Sequence, residues 1–214
     1  LIPEVFMLII DSAFNTTAAS GGFAGATVMM AIRFGVSRGV FSNEAGLGSS
    51  PIAHAAAKTN NPIKQGSISM LEPLIDTLIV CTITAFVILI SGAWLTGING
   101  AALTTEAFNT EIPYVGKYIV VVGLVLFAFS TIIGWSYYGE KCAEFIFGSK
   151  IIIPYRVLWI IIIPIGAATE LNLIWLIADI MNGLMALPNL IALILLSPIV
   201  FSKTKQFIQN SNEN

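Results

Sequence analysis

Apolar residues in this chain run in long stretches, and polar residues gather between them. Residues 67–91, SISMLEPLIDTLIVCTITAFVILIS, and 115–138, VGKYIVVVGLVLFAFSTIIGWSYY, are each long enough to cross a bilayer as a helix, which takes about 20 residues. Residues 157–201 are almost wholly apolar and carry Glu170 and Asp179 as their charges. That stretch splits near 168–172 and at Leu187-Pro188-Asn189 into pieces shorter than the roughly 17-residue minimum. We assign it one span at 152–168 and one long, kinked crossing at 171–201, with three short spans as the alternative. Residues 2–20 are interrupted by Glu4 and Asp11. They predict a helix lying at the interface or outside over 1–22, with a truncated span as the alternative.

Residues 21–57 have a different pattern, with the span itself placed at 23–57. GGFAGATVMMAI starts as an apolar helix, then Arg33, Arg38 and FSNEAGLGSSP follow. Asn43, Glu44, Gly46, Gly48 and Pro51 weaken any continuous helix there. The pattern predicts a span broken near its centre. The transmembrane bundle then runs over 23–201, with 202–214 as a cytoplasmic tail.

Composition fixes the solvent. Hydrophobic residues make up 56% of the 214 and charged residues 10%, against roughly 25% charged in a soluble domain. Lipid must cover part of such a surface. The orientation follows from Lys and Arg. Lys58, Lys64, Lys141, Lys150, Arg156, Lys203 and Lys205 all fall inside if five crossings begin with the broken one running inward. The acidic segment 92–114, with Glu106 and Glu111, then faces out. A net charge of -2 leaves no basic footprint for nucleic acid. Cys81 and Cys142 have no metal-ligand spacing, and His54 is the one histidine, so neither a disulfide framework nor a histidine metal site is indicated. The chain opens on Leu1 without a signal-peptide pattern and reads as part of a longer protein.

The segment 40–57, VFSNEAGLGSSPIAHAAA, carries the functional signal. In hydrocarbon an unpaired backbone group costs several kcal/mol, so non-helical backbone persists only inside protein or beside a polar cavity. Broken helices mark substrate and ion sites in secondary transporters. A half-helix N-terminus stabilises a carboxylate, freed carbonyls coordinate a cation, and glycine lets a ligand approach the backbone. The alternative is a small-residue packing face between crossed helices. Gly46, Gly48, Ser49 and Ser50 suit both readings, but the carboxylate of Glu44 suits only a cavity or a partner.

The string GVSRGVFSNEAGLGSSPIAHAAAKTNNPIKQG at 35–66 resembles the signature region of the alanine-or-glycine:cation symporter family. The resemblance continues through IDTLIVCTITAFVIL at 75–89, FAFSTIIGWSYYGEKCAE at 127–144 and WLIADIMNGLMALPNLIALILLSP at 175–198. It implies an all-α polytopic membrane protein with a LeuT-like fold of the APC superfamily, built from two inverted five-helix repeats around a midplane substrate site. This chain resembles the second repeat, the C-terminal half. The first repeat, with its own broken helix, would be the missing partner. The resemblance also implies a multi-pass protein of a bacterial or archaeal cytoplasmic membrane, with sodium and a small amino acid as co-transported ligands.

Phe127, Ser130 and Thr131 share one helical face by their spacing. A carbonyl and two hydroxyls suit Na⁺, and transporters of the implied fold use such a trio. The alternative is hydroxyls bonding back to their own helix. Trp135 lies one turn on and is read either as a substrate-pocket wall or as an interfacial anchor with Tyr137 and Tyr138. Phe41, before the break, is the other candidate wall. The substrate-binding set is therefore Phe41, Ser42, Gly46, Thr131 and Trp135, and the sodium set is Phe127, Ser130 and Thr131. Glu72 and Asp76 are i, i+4 and read as proton relays or as partners of backbone groups, Arg33 or Arg38. Asp179 is a further intramembrane carboxylate. A proton-coupled carrier or channel using Glu44, Asp76 and Asp179 is the competing function. A membrane enzyme lacks a catalytic set here, and no ATP-binding loop is present.

Overall fold

The computed structural model describes residues 1–14 and 23–212, all of it helix, turn and loop. Residues 15–22 of the expected interfacial segment lie outside the described residues. Helix α1 is Ile2–Phe14 and α2 is Phe23–Ser42. The short α3 is Ser50–His54, and α4 is Pro62–Ile90. Then come α5 (Gly100–Glu111), α6 (Gly116–Phe147), α7 (Ile152–Ala168) and α8 (Leu171–Asn212). Among the described residues, four helical segments are long and apolar enough to cross a membrane: Pro62–Ile90, Gly116–Phe147, Ser149–Ala168 and Leu171–Asn210. The described residues form an all-helical structure, consistent with a polytopic membrane protein.

Local chemistry explains several boundaries. Asn61 caps α4, its Oδ1 accepting from the N–H groups of Ile63 and Lys64 at 3.1 Å each. Pro62 follows in the first turn, where its missing N–H costs nothing. Inside α4 the backbone widens to a π-helix over Leu74–Cys81, directly after Pro73. A proline that withholds an N–H is a usual origin of such a shift in register. Helix α8 continues through Pro188 and Pro198. Pro198 leaves the Ile194 carbonyl without its helical donor, and the Ser197 hydroxyl donates to that carbonyl at 2.8 Å.

Two segments outside the assigned spans are helical. The polar stretch 92–114 holds α5, introduced by turns at Gly92, Gly97 and Gly100, whose φ values are 68°, 75° and 64°. Ala107 on α5 is fully buried, so a few small apolar positions suffice to fix it. Helix α8 also runs beyond residue 201, because Lys203, Lys205 and Gln206 are good helix formers although poor lipid neighbours.

The chain divides into two compact units. The first, residues 1–38 and 73–131, packs α1 and α5 on the 82–90 part of α4. Val5, Ala93, Ala107 and Val120 are its buried apolar residues among those described. The second, residues 39–72 and 132–214, contains the end of α2, α3, the start of α4, the end of α6, α7 and α8. Leu47, Ser49, Glu140 and Asn182 are buried in it. Elsewhere the spans are bare: Val125 and Ile194 are 63% and 72% exposed. Such apolar surface is stable only against lipid or further protein.

Candidate functional site

Helix α2 stops at Ser42, and regular helix resumes at Ser50. Glu44, Gly46 and Gly48 between them have φ values of 49°, 73° and 80°. This left-handed region is open to glycine and costs a residue with a side chain, so Glu44 is held there against its preference. The turn is closed by N–H donations from Asn43 to Gly39, Glu44 to Phe41, Ala45 to Val40 and Leu47 to Glu44, at 3.0 to 3.3 Å. Pro51 sits in the first turn of α3 and helps the helix restart.

Three aromatic rings meet at the front of the break. Phe41 stacks on Trp135 of α6 with centroids 5.7 Å apart and planes at 22°. Trp175 of α8 presents an edge contact to Phe41 at 5.8 Å and 81°. Trp135 also meets Tyr138 at 6.0 Å. The two apolar residues picked from sequence as walls are thus one stacked pair. Trp175 was not singled out by the sequence, because nothing in its own neighbourhood points at residue 41.

Helix α8 backs the glycines. A Cβ on Gly48 would lie 2.9 Å from Asn189 Oδ1 and 3.1 Å from its Cγ, so the Asn189 amide occupies the space a side chain would need. At Gly46 the nearest atom to such a Cβ is Leu190 Cδ2 at 3.9 Å, an ordinary contact. Gly46 is therefore required by its φ, and Gly48 by φ and close approach together.

The carboxylate of Glu44 is flanked by the Ser49 and Tyr138 side chains, with Glu72 and His54 beyond. Oε2 of Glu44 and Oγ of Ser49 are buried without completing a hydrogen bond of good geometry, and Ser49 is 2% exposed. His54 Nδ1 pairs with Gln65 Nε2 at 2.8 Å, and its Nε2 lies 3.6 Å from Glu72 Oε2. His54 is a partner of Glu72 that the sequence reading did not consider. A cavity of about 450 Å³ opens here, lined by Ser50, His54, Thr59, Asn60, Gln65 and Ser69 among others.

The end of α6 is tied to the start of α7 by Glu140, which accepts from Arg156 Nε at 2.5 Å and from Nη2 at 3.0 Å. The fork geometry suits guanidinium and carboxylate.

Phe127, Ser130 and Thr131 lie on α6 in the first unit. The Ser130 hydroxyl donates to the Phe127 carbonyl at 2.9 Å. This is the back-bonding arrangement, and it uses the hydroxyl proton only. The Phe127 carbonyl, inside α6, also accepts the helical N–H of Thr131, so it is the lone pairs of Ser130 Oγ that stay open to a cation. Thr131 follows, exposed, one turn before Trp135. Ser42 is the last residue of α2. Among the described residues, no cluster of three or more His, Cys, Asp or Glu side chains is placed to hold a metal ion.

The family model for the sodium:alanine symporter family matches residues 1–214. The chain is 51% identical over its whole length to an uncharacterised transporter of Haemophilus influenzae, covering 47% of that protein. It is 50% identical over 97% of its length to the sodium/alanine symporter AgcS of Methanococcus maripaludis, covering 45% of it. It is 42% identical over 96% of its length to the probable sodium/glutamine symporter GlnT of Bacillus subtilis, covering 43%. The chain spans under half the length of these relatives.

Proposed function

This chain belongs to the sodium:alanine symporter family, and we propose that it forms the second inverted repeat of a LeuT-like, five-plus-five-helix transporter. The whole protein would carry a small neutral amino acid of the alanine or glycine class together with Na⁺ across a bacterial or archaeal cytoplasmic membrane. The missing N-terminal half would complete the site. In this reading the break between α2 and α3 is a fifth crossing joined to the four apolar ones. Residues 92–114 then face out, and the Lys-bearing segments face in.

The observation that carries the reading is the break itself. Left-handed backbone at Glu44, Gly46 and Gly48 lies within a few residues of the stacked Phe41–Trp135 pair. Such a place offers open backbone groups to the polar end of an amino acid and apolar rings to its side chain. Gly46 carries no side chain to keep a ligand off the backbone. Ser42 and Thr131 add hydroxyls that can accept from an ammonium or donate to a carboxylate. Phe127, Ser130 and Thr131 supply oxygen ligands of the hard kind Na⁺ takes. The alanine-named relative at 50% identity supports a small substrate, while the relative named as a probable glutamine symporter, at 42%, supports a larger one.

The test is alanine uptake by proteoliposomes carrying the full-length protein, over a Na⁺ titration. The proposal expects saturable dependence on Na⁺, with Thr131→Ala and Ser130→Ala raising the half-saturating Na⁺ concentration. Uptake that follows a pH gradient and ignores Na⁺ would replace it with the proton-coupled reading.

A further inference from the structure

Phe41 sits on the least regular backbone of the three rings. It precedes the end of α2 by one residue and the left-handed Glu44 by three. Trp135, by contrast, stands within α6 and has Tyr138 as a second ring neighbour. Phe41 has a second ring neighbour of its own in Trp175. Trp175 meets it nearly perpendicular, at 81° with centroids 5.8 Å apart. In that arrangement the positive rim of one ring faces the negative face of another. The same helix touches the break twice more, through Leu190 at Gly46 and Asn189 at Gly48. Residues 175–190 of α8 thus lie along the break from the residue before it to the glycine near its end. Trp175 is the aromatic member of that support and the one that reaches the apolar wall.

We propose that Trp175 is a positioning residue for substrate size, holding Phe41 in its stack on Trp135 and so keeping the apolar wall closed against larger side chains. The proposal rests on the reading of Phe41 and Trp135 as walls of the substrate site. Trp175 acts through Phe41, so its removal frees the phenyl ring to swing away from Trp135. The room gained should admit a branched or longer side chain and loosen the hold on alanine. A phenyl ring at 175 can still offer an edge, so Trp175→Phe should retain most of the selectivity.

The experiment compares leucine and alanine uptake by the full-length transporter in proteoliposomes at saturating Na⁺. It uses Trp175→Ala, Trp175→Phe, Phe41→Ala, Trp135→Ala and the Phe41→Ala/Trp175→Ala double variant. Trp175→Ala should raise the leucine-to-alanine ratio about three- to tenfold, the range of losing one aromatic pair. The change should appear in KM for alanine more than in the maximal rate, and Trp175→Phe should bring the ratio back. In the Phe41→Ala background, Trp175→Ala should change the ratio no further. Additive changes in the double variant, or an unmoved ratio in Trp175→Ala beside a shifted one in Trp135→Ala, would overturn the role given to Trp175. Unmoved ratios in all the variants would overturn the wall reading itself, and Trp175 with it.

Discussion

Replacing Gly48 with alanine puts two separable penalties on one methyl group. The first is conformational: φ is 80°, and an L-residue in left-handed backbone loses roughly 1–2 kcal/mol relative to glycine. The second is steric. The new Cβ would stand 2.9 Å from Asn189 Oδ1 and 3.1 Å from Asn189 Cγ. Forcing atoms into a filled site costs about 1–3 kcal/mol, giving a total of roughly 2–5 kcal/mol for Gly48→Ala. Gly46→Ala bears only the conformational part, because Leu190 Cδ2 at 3.9 Å is in ordinary contact. It should cost roughly 1–2 kcal/mol. Gly166, inside α7 with nothing within 4 Å of its would-be Cβ, should be stabilised by alanine by about 1 kcal/mol. The assay is equilibrium unfolding of the full-length protein in mixed detergent micelles. An Asn189→Ala background isolates the contact, because there the excess of Gly48→Ala over Gly46→Ala should vanish. Equal effects of the two glycine substitutions in the native background, or an excess that survives Asn189→Ala, would refute this account of how α8 supports the break.

Gly46→Val adds a β-branched residue to left-handed backbone beside the proposed ligand, so alanine uptake should be lost while the folded protein still reaches the membrane; normal uptake would return Gly46 to simple packing. Trp135→Ala should relax selection toward larger amino acids in graded fashion, since one methylene in a pocket is worth roughly 1–3 kcal/mol, and unchanged relative uptake of alanine and leucine would remove Trp135 as a size gate. Arg156→Lys should weaken the α6–α7 joint in the same unfolding assay, because lysine cannot make the two-pronged contact with Glu140; a neutral result would mark that pair as dispensable. A cysteine at Ser202 should resist impermeant reagents added from outside, and labelling there would overturn the five-crossing topology.

The helices were legible because lipid imposes a simple rule on composition: apolar runs of sufficient length become spans. Residues 67–91 and 115–138 needed nothing more. Helix ends were less legible, because a helix does not stop where the apolar run stops. Residues 139–147 continue as helix with Glu140 tied to Arg156 of α7, and residues 202–212 continue beyond the apolar run. The break was legible through residues with local consequences, namely Gly46, Gly48, Pro51 and a carboxylate in an apolar setting. The supports of the break were not. Trp175 sits in an apolar run where no local signal distinguishes a residue facing protein from one facing lipid, and Asn189 was read only as a break in that run and not as a neighbour of Gly48. The pairing of His54 with Glu72 was also hidden, since it depends on how the loop after α3 returns to α4.

The central claim is that sodium and amino acid bind to one coupled arrangement. Equilibrium binding to the purified full-length transporter tests it most directly: alanine affinity measured without Na⁺ and at saturating Na⁺, and Na⁺ affinity measured without and with alanine. Linkage requires the two ratios to be equal, and the account predicts a common factor well above one that shrinks in Thr131→Ala. Alanine affinity independent of Na⁺ would contradict it.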